Sequence, residues 1–303
     1  MKYAYSKVII AAASLCVLVS PNALAFGDEG HKIVAGIAYV HLDGPVRKKI
    51  DGLLASDKDT LTTPDFMARA TWADKYRDSD RRSTKERYNA THLWHFVDIE
   101  TDSPDIDKAC NNHPALPTNT VASAGDPNDC VLDKIEQFTS ELKDPSTKKA
   151  EKILALKFIM HFVGDIHQPL HSADHSDRGG NSVPVLYRNK TVPDNLHAYW
   201  DTELVKRLGS DPKTVATSLG STISKSQIRD WSKGTVADWA TESFQLAKDV
   251  AYNFSGETTK ADDHGTDAMY LDAAYDSRAL PVVKTQLSKA GIRLAKILNE
   301  SLK

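Results

Sequence analysis

The chain is poor in cysteine, in net charge and in β-strand signals. Three cysteines among 303 residues are too few for a disulfide-dense scaffold, and neither Cys110 nor Cys130 sits in a CxxC or CxH pattern of the kind that marks a thiolate metal site. Arginine- or lysine-rich tails are absent and the formal charge is −3. That combination disfavours a binder that grips nucleic acid mainly by releasing counterions; if phosphate is the ligand, something other than net charge must hold it. There is no internal repeat, low-complexity stretch or linker, and after the first 25 residues no segment looks transmembrane. What remains is a globular composition, with 41% apolar and 26% charged residues, long enough to bury a sizeable core without many disulfides. Histidine is the unusual count, at 11.

Residues 1–25 have the three parts of an export signal: Lys2 and Lys7, an apolar run from Val8 to Val19, and Pro21 followed by the small-x-small pattern Ala23-Leu24-Ala25. The run is too short to span a bilayer comfortably. The expected domain organisation is therefore a signal peptide, 1–25, and one mature domain, 26–303, secreted or periplasmic, beginning at Phe26. Cys16 leaves with the signal. Cys110 and Cys130 remain as an even pair in an oxidising compartment, flanking a loop rich in Asn, Pro, Gly and Asp. A disulfide across that loop is the favoured reading over a metal site.

The apolar spacing is helical. Ile33, Val34, Ile37, Ala38 and Val40 form one face of a helix over 31–42. Thr63-Pro64-Asp65 opens a second helix that runs through Asp74. Further helices are predicted at 129–142, 147–166 (stopped by Pro169), 197–208, 230–253 and 279–302. Residues 182–187 could form one short hairpin arm. The fold class is all-α: a single multi-helix domain with at most a short β-hairpin and long loops near 101–130 and 171–196, lengths that usually mean function or a staple.

The most informative stretch is His161-Phe-Val-Gly-Asp165-Ile-His167-Gln-Pro-Leu-His171. A spacing of four puts His161 and Asp165 on one helix face, and His171 lies just beyond the proline. Imidazoles and carboxylates so close together are the ligand inventory of zinc. His197 and Asp201 repeat the spacing. His95 lies in Trp-His-Phe-Val-Asp98 and is preceded by Asp74 in Trp-Ala-Asp. His31 stands five residues after the expected new terminus, whose freed amine is itself a possible ligand. Five histidines, three aspartates and an amine are too many for one tetrahedral zinc and about right for three.

These motifs, with Phe-Gly-x-x-Gly-His at 26–31, Gly-Gly-Asn181, Asn-Leu-His197-x-x-Trp-Asp201 and a late Trp-Ala-x-Glu-Ser, resemble the fungal and plant single-strand-specific zinc nucleases of the S-one/P-one type, which share the fold of bacterial zinc phospholipase C. The resemblance runs in order over nearly the whole mature chain. It implies three zinc ions: one held by Asp74, His95, His161 and Asp165; a second by Asp165, His31 and the amine and carbonyl of Phe26, where the family usually has Trp; a third by His171, His197 and Asp201. It further implies that Asp98 hydrogen-bonds the attacking water (against a role in orienting a ligand), that Arg77 contacts phosphate (against a solvated surface arginine), that Phe96 packs a nucleobase, and that Asn181 meets a base edge (against a loop cap). His167 has no ligand counterpart. His41, His92, His113, His175 and His264 match no ligand and read as surface or core residues.

The implied activity is zinc-assisted hydrolysis of single-stranded RNA and DNA to 5′-mononucleotides, with 3′-nucleotidase activity. Zinc-bound hydroxide would attack phosphorus and the third zinc would stabilise the leaving 3′ oxygen. The expected protein is a monomer with no membrane or stable protein partner, and the short signal and single disulfide pair suggest a bacterial origin. Two other readings stand beside it: a zinc phospholipase C, disfavoured because the lipase branch has Glu where this chain has Asp201, and a non-enzymatic secreted protein in which zinc only holds the fold.

Overall fold

The computed structural model describes residues 26–254, 258–260 and 267–303; the expected signal 1–25, with Cys16, and His264 lie outside these residues. Helix α1 is Gly27–Val40, α2 is Gly44–Ala55, α3 is Trp72–Asp78, α4 is Val131–Lys143, α5 is Lys149–Asp165, α6 is Pro212–Thr222, α7 is Val236–Leu246 and α8 is Ala273–Ser301. Shorter turns join them. No helix among the described residues is long and apolar enough to cross a membrane.

Helix α5 is the axis. From Ala155 to Asp165 every residue is buried, which is how a helix without a polar face must be placed. It packs against α4, α8 and α1. Trp72, Trp94, Phe138, Phe158 and Phe162 fill the space around it, with Phe138 and Phe158 stacked at 4.7 Å. α8 lies along α1, and both converge on the C-terminal end of α5, where the polar residues begin.

The mostly helical fold agrees with the expected class, and several boundaries differ for local reasons. The expected helix from 63 to 74 is two turns: Asp65 caps Phe66–Arg69 by accepting from Ala68 N at 2.9 Å, and α3 starts afresh at Trp72. The expected helix over 230–253 breaks at Gly234, whose φ of 83° is left-handed; Thr235 and Asp238 then form a capping box that starts α7. α8 begins six residues before the expected 279, capped by Asp272, and carries Pro281 inside it at the loss of one backbone bond. Val40 is not core: it is 63% exposed on the last turn of α1, at the lip of an apolar groove with Phe66, Met67 and Ala216. α2, α6 and the turn Glu86–Thr91 were not legible in the spacing.

The only sheet among the described residues is small. Strands β1 Pro184–Tyr187, β2 Asp194–Asn195, β3 Thr258–Lys260 and β4 Asp267–Leu271 lie in the order β2-β1-β4-β3, with β1 parallel to β4 and the outer pairs antiparallel. β1 is the arm expected at 182–187. Cys110 and Cys130 are disulfide-bonded. The bond ties the 101–130 loop to the start of α4, where Val131 N–H donates to the carbonyl of Phe96 at 3.2 Å. The staple thus ends beside the segment that carries His95, Phe96 and Asp98.

Candidate metal centre

The last turn of α5 presents His161 and Asp165 on one face, both fully buried. His31 reaches them from α1 and stacks on His161, ring centroids 3.7 Å apart. That approach needs Gly164, because a Cβ there would lie 2.7 Å from His31 Nδ1. Asp74 comes from α3, and His95 from the 3₁₀ turn His92–His95. His161 Nε2 is 3.4 Å from both Asp74 Oδ1 and Asp165 Oδ2. His95 Nδ1 is 3.5 Å from Asp74 Oδ1 and 3.1 Å from Asp165 Oδ2. The other Asp165 oxygen, Oδ1, is 3.3 Å from His31 Nε2. One carboxylate therefore faces two groups of imidazoles.

A second cluster adjoins the first. Past Asp165 the chain turns through Pro169–His171, and the segment 196–206 supplies His197 and Asp201. Asp201 sits in a π-helical turn, Tyr199–Glu203, a distortion common at functional sites. Asp201 Oδ2 is 3.3 Å from His197 Nε2 and its Oδ1 is 3.9 Å from His171 Nε2. Gln168 Nε2 donates to Asp201 Oδ1 at 2.7 Å and Leu170 N–H donates to Gln168 Oε1 at 2.7 Å, fixing the carboxylate's plane.

The protonation pattern tests whether cations fit. Backbone carbonyls only accept, so a ring nitrogen bonded to one must carry the proton. His161 Nδ1 donates to Ala70 O at 2.7 Å, His171 Nδ1 to His95 O at 2.8 Å and His197 Nδ1 to Gly179 O at 2.6 Å. Their Nε2 lone pairs are thereby turned into the clusters, the usual orientation of a metal-ligating histidine. His171 Nε2 and His197 Nε2 face each other at 2.9 Å. Burial, then His197, holds His171 well below the usual histidine range, and burial pushes His197 down to about 4. Two neutral imidazoles with facing lone pairs repel unless a cation lies between them. Around His161 Nε2 the neighbours are carboxylate oxygens, acceptors that offer it no proton. Tetrahedral zinc with bonds of about 2.0–2.1 Å sets adjacent ligand atoms about 3.3–3.4 Å apart, and the 3.3–3.5 Å contacts above match that edge. The residues fit divalent cations.

The electrostatics agree. Burial raises Asp165 well above the usual carboxylate range, and Asp74 adds to the effect; burial also raises Asp201 well above it. Burial opposes charge on Asp74 too, but Arg77 and His161 outweigh it and its pKa ends well below normal. Burial, then the Arg77 guanidinium, pushes His95 well down.

The other expected residues gather at the mouth. A cleft of about 410 Å³ is lined by Arg77, His95, Phe96, Asp98, His171, Asn181 and His197. Arg77 is not a solvated surface arginine: it is 7% exposed, with Nη1 on Asp74 at 2.7 Å and its Nε and Nη2 on Asp78 at 3.0 and 2.9 Å. Asp98 opens to the cleft, yet partial burial and the carboxylates of Asp174, Glu100 and Asp177 push its pKa up to about 7. Asn181 both lines the cleft and caps its loop, its Nδ2 donating to Arg178 O at 2.9 Å. Phe26 is buried with a left-handed φ of 36°; its carbonyl accepts from Gly30 at 2.9 Å and its N–H donates to Asp201. His167 faces away: its Nδ1 lies 2.7 Å from Val163 O and its Nε2 2.8 Å from Arg293 Nη1, which Glu242 of the late Trp-Ala-x-Glu-Ser motif holds by Nη2 at 2.7 Å. His41, His113 and His175 lie outside both clusters. Cys110, His113, Cys130 and Asp133 form a further grouping, but the two sulfurs are bonded to each other.

Residue-by-residue reading missed Gln168, although it lies inside the long motif, and missed Arg81, Tyr88, His92 and Arg178, which line the same cleft. Nothing in their spacing pointed there.

The profile of the S1/P1 nuclease family matches residues 26–303. Nuclease S1 of Aspergillus oryzae is 30% identical over 291 residues, covering 89% of each chain. Endonuclease 2 of Arabidopsis thaliana is 28% identical over 289 residues, covering 92% of this chain and 91% of that protein. Nuclease P1 of Penicillium citrinum is 26% identical over 297 residues, covering 91% and 97%. On its motifs, its two buried imidazole–carboxylate clusters and this match along the whole described domain, the chain belongs to the S1/P1 nuclease family.

Proposed function

We propose that this protein is a single-strand-specific, zinc-dependent phosphodiesterase that releases 5′-mononucleotides from RNA and DNA and also hydrolyses 3′-nucleotides. It works as an exported monomer, with residues 1–25 removed and Phe26 N-terminal. The observation that carries the reading is the set of buried acceptor atoms, from His31, Asp74, His95, His161, Asp165, His171, His197 and Asp201, at the base of one cleft. Three zinc ions would divide these ligands with Asp165 shared, the Phe26 terminus completing the set with His31 and Asp165. Bound there, zinc supplies a water of lowered pKa and positive charge for phosphate and leaving oxygen.

The chain's own residues do the rest. Asp98 orients the attacking water by accepting its hydrogen bond. Arg77, locked by Asp74 and Asp78, holds a fixed cation toward the phosphate. Phe96 gives a stacking face that needs an unpaired base, which is why a duplex is a poor substrate. Asn181 keeps its carbonyl oxygen and one amide N–H for a base edge, the other N–H being given to Arg178 O. Asp201, rather than Glu, in the third ligand set favours nuclease over phospholipase C.

The test pairs a metal count with product analysis on the processed protein. Near three zinc per chain, 5′-mononucleotides from an unpaired oligonucleotide and phosphate from 3′-AMP are expected. Failure on both substrates at full metal loading refutes the reading, and preferential hydrolysis of phosphatidylcholine establishes the lipase instead.

A further inference from the structure

Between two of the cluster residues, Asp74 and His95, lies a basic stretch of an otherwise acidic chain. Residues 75–88 hold Lys75, Arg77, Arg81, Arg82, Lys85 and Arg87 against Asp78, Asp80 and Glu86, a local net charge of +3 in a chain of net −3. The stretch leaves on α3, turns, and returns on the helix Glu86–Thr91. Two of its three acids are engaged within the loop. Asp78 pairs with Arg77, and the Asp80 carboxylate accepts from Arg87 N at 2.8 Å, Tyr88 N at 3.2 Å and Thr84 Oγ1 at 3.1 Å, closing the turn. Arg82 and Lys85 are exposed on the turn, Lys85 with a left-handed φ of 60°.

The inner wall of this loop is continuous with the metal cleft. The Arg81 guanidinium lies over the Tyr88 ring at 4.9 Å, and Tyr88 stacks on His92 at 4.9 Å with the rings 13° from parallel. Arg81, Tyr88 and His92 line the same cavity as His95 and Asp98. A cation, a phenol and an imidazole are thus stacked in a ladder from the loop toward the cluster, with Arg178 on the same cavity. Charge for phosphate and flat faces for bases, side by side, are what a single strand needs.

We propose that the 75–88 loop is a backbone track for single-stranded nucleic acid: the nucleotides beyond the one at the metal centre run along the Arg81–Tyr88–His92 ladder, and Arg82 and Lys85 neutralise the phosphates outside it. The ligand class is an oligonucleotide several residues long, distinguished from a mononucleotide by its additional phosphates. The inference rests on the proposed nuclease function for its substrate, and the track itself is testable by binding alone.

The test uses the zinc-loaded processed protein and Arg82→Gln/Lys85→Gln. Fluorescence anisotropy with a labelled phosphorothioate oligothymidylate gives Kd against salt, independent of turnover. Each lost phosphate contact removes about 0.7 from the slope of log Kd on log salt for single strands, so the double variant should flatten it by about 1.4 and weaken binding on the order of tenfold at low salt. The ratio of kcat/KM on an oligonucleotide to that on 3′-AMP should fall by a similar factor. Lys149→Gln/Lys152→Gln makes the same change of net charge at the opposite end of α5 from Asp165 and should leave the slope at the wild-type value. An unchanged slope in the Arg82/Lys85 variant, or an equal loss in the Lys149/Lys152 variant, overturns the track. Binding with the expected slopes but no hydrolysis of either substrate leaves the track standing and refutes the nuclease reading.

Discussion

Replacing Asp165 by Asn tests the centre most directly, because its two oxygens face different partners. Oδ1 lies 3.3 Å from His31 Nε2, and Oδ2 lies 3.1 Å from His95 Nδ1 and 3.4 Å from His161 Nε2. The amide keeps the shape, removes one negative charge and leaves at most one oxygen to ligate. If Asp165 bridges two ions, the substitution should take zinc from near three per chain toward one. A ligand present at about a thousand times its Kd stabilises the fold by about 4 kcal/mol per site, so two lost sites amount to about 8 kcal/mol. At about 2 °C per kcal/mol for a domain of this size, the melting temperature in zinc buffer should drop by about 15 °C. In chelator the gap should close or invert, because the metal-free wild type must keep a buried carboxyl whose pKa burial has raised, whereas Asn has nothing to ionise. Turnover should fall at least about 10³-fold, more than one lost charge-stabilising donor typically costs. Elemental analysis, melting curves with and without chelator, and 3′-AMP hydrolysis read all three. A variant that kept three zinc ions, or the same zinc-dependent melting shift as wild type, would refute the bridge.

Other perturbations separate the remaining roles. One residue retained before Phe26 should cost one zinc and at least about tenfold in activity, since Phe26 is fully buried; metal content equal to that of the processed chain would rule out ligation by the terminus. Cys110→Ser/Cys130→Ser opens a link between residues 20 apart and should lower stability by about 3 kcal/mol, read as a melting point lower by about 6 °C; an unchanged melting point would show the staple to be idle. For Asp98, the folded carboxyl keeps its proton up to about 7 whereas an unfolded one releases it near about 3.9, so this group's contribution to stability falls as pH rises across that window. Activity that needs ionised Asp98 should rise with pH over the same range. Glu100→Gln, by removing a neighbouring negative charge, should shift that limb to lower pH, and Asp98→Asn should abolish it. A pH–rate profile unmoved by either substitution would assign Asp98 no part in the reaction.

The difference between what was legible and what was not has a physical source. His161 with Asp165, and His197 with Asp201, share a helix face by spacing alone, so their pairing is local and readable. The meeting of these pairs with Asp74, His95 and His31 is not local; it was accessible only because the motifs stand in a familiar order. Gly164 carries no functional group, yet it sets how near His31 can come to His161. The Tyr88–His92 stack joins two residues to which the sequence pattern assigns no role. In the fold, the long amphipathic helices announced themselves, while Gly234 and the π-helical turn at Tyr199–Glu203 break or distort helices whose apolar spacing continues through them. The pairing of β1 with β4 brings Val185 to Met269, a contact that no local pattern encodes.

Net charge was a sound guide to the whole chain and a poor one to the site. Asp74, Asp165 and Asp201 are buried close together, and the imidazoles around them are held uncharged where burial lowers their pKa. Without cations only Asp74 has a full counter-charge, in Arg77, and burial raises the pKa values of Asp165 and Asp201 well above the usual carboxylate range, which is the cost of leaving them unpaired. The three divalent ions proposed would bring twice the charge of the three ionised carboxylates and make the pocket positive, with Arg77 adding to it. Charges more than about 8–10 Å away are screened at physiological salt, so a phosphate in the cleft would respond to the proposed ions, to Asp98 and its carboxylate neighbours and to the nearby 75–88 loop rather than to the total of −3. The same arithmetic couples folding to metal: the buried ligands that make the empty pocket unfavourable make the filled one a brace across α1, α3, α5 and the 196–206 segment. Chelation should therefore loosen these four elements together, as a joint loss of amide-exchange protection, while α6 and the exposed face of α2 keep theirs.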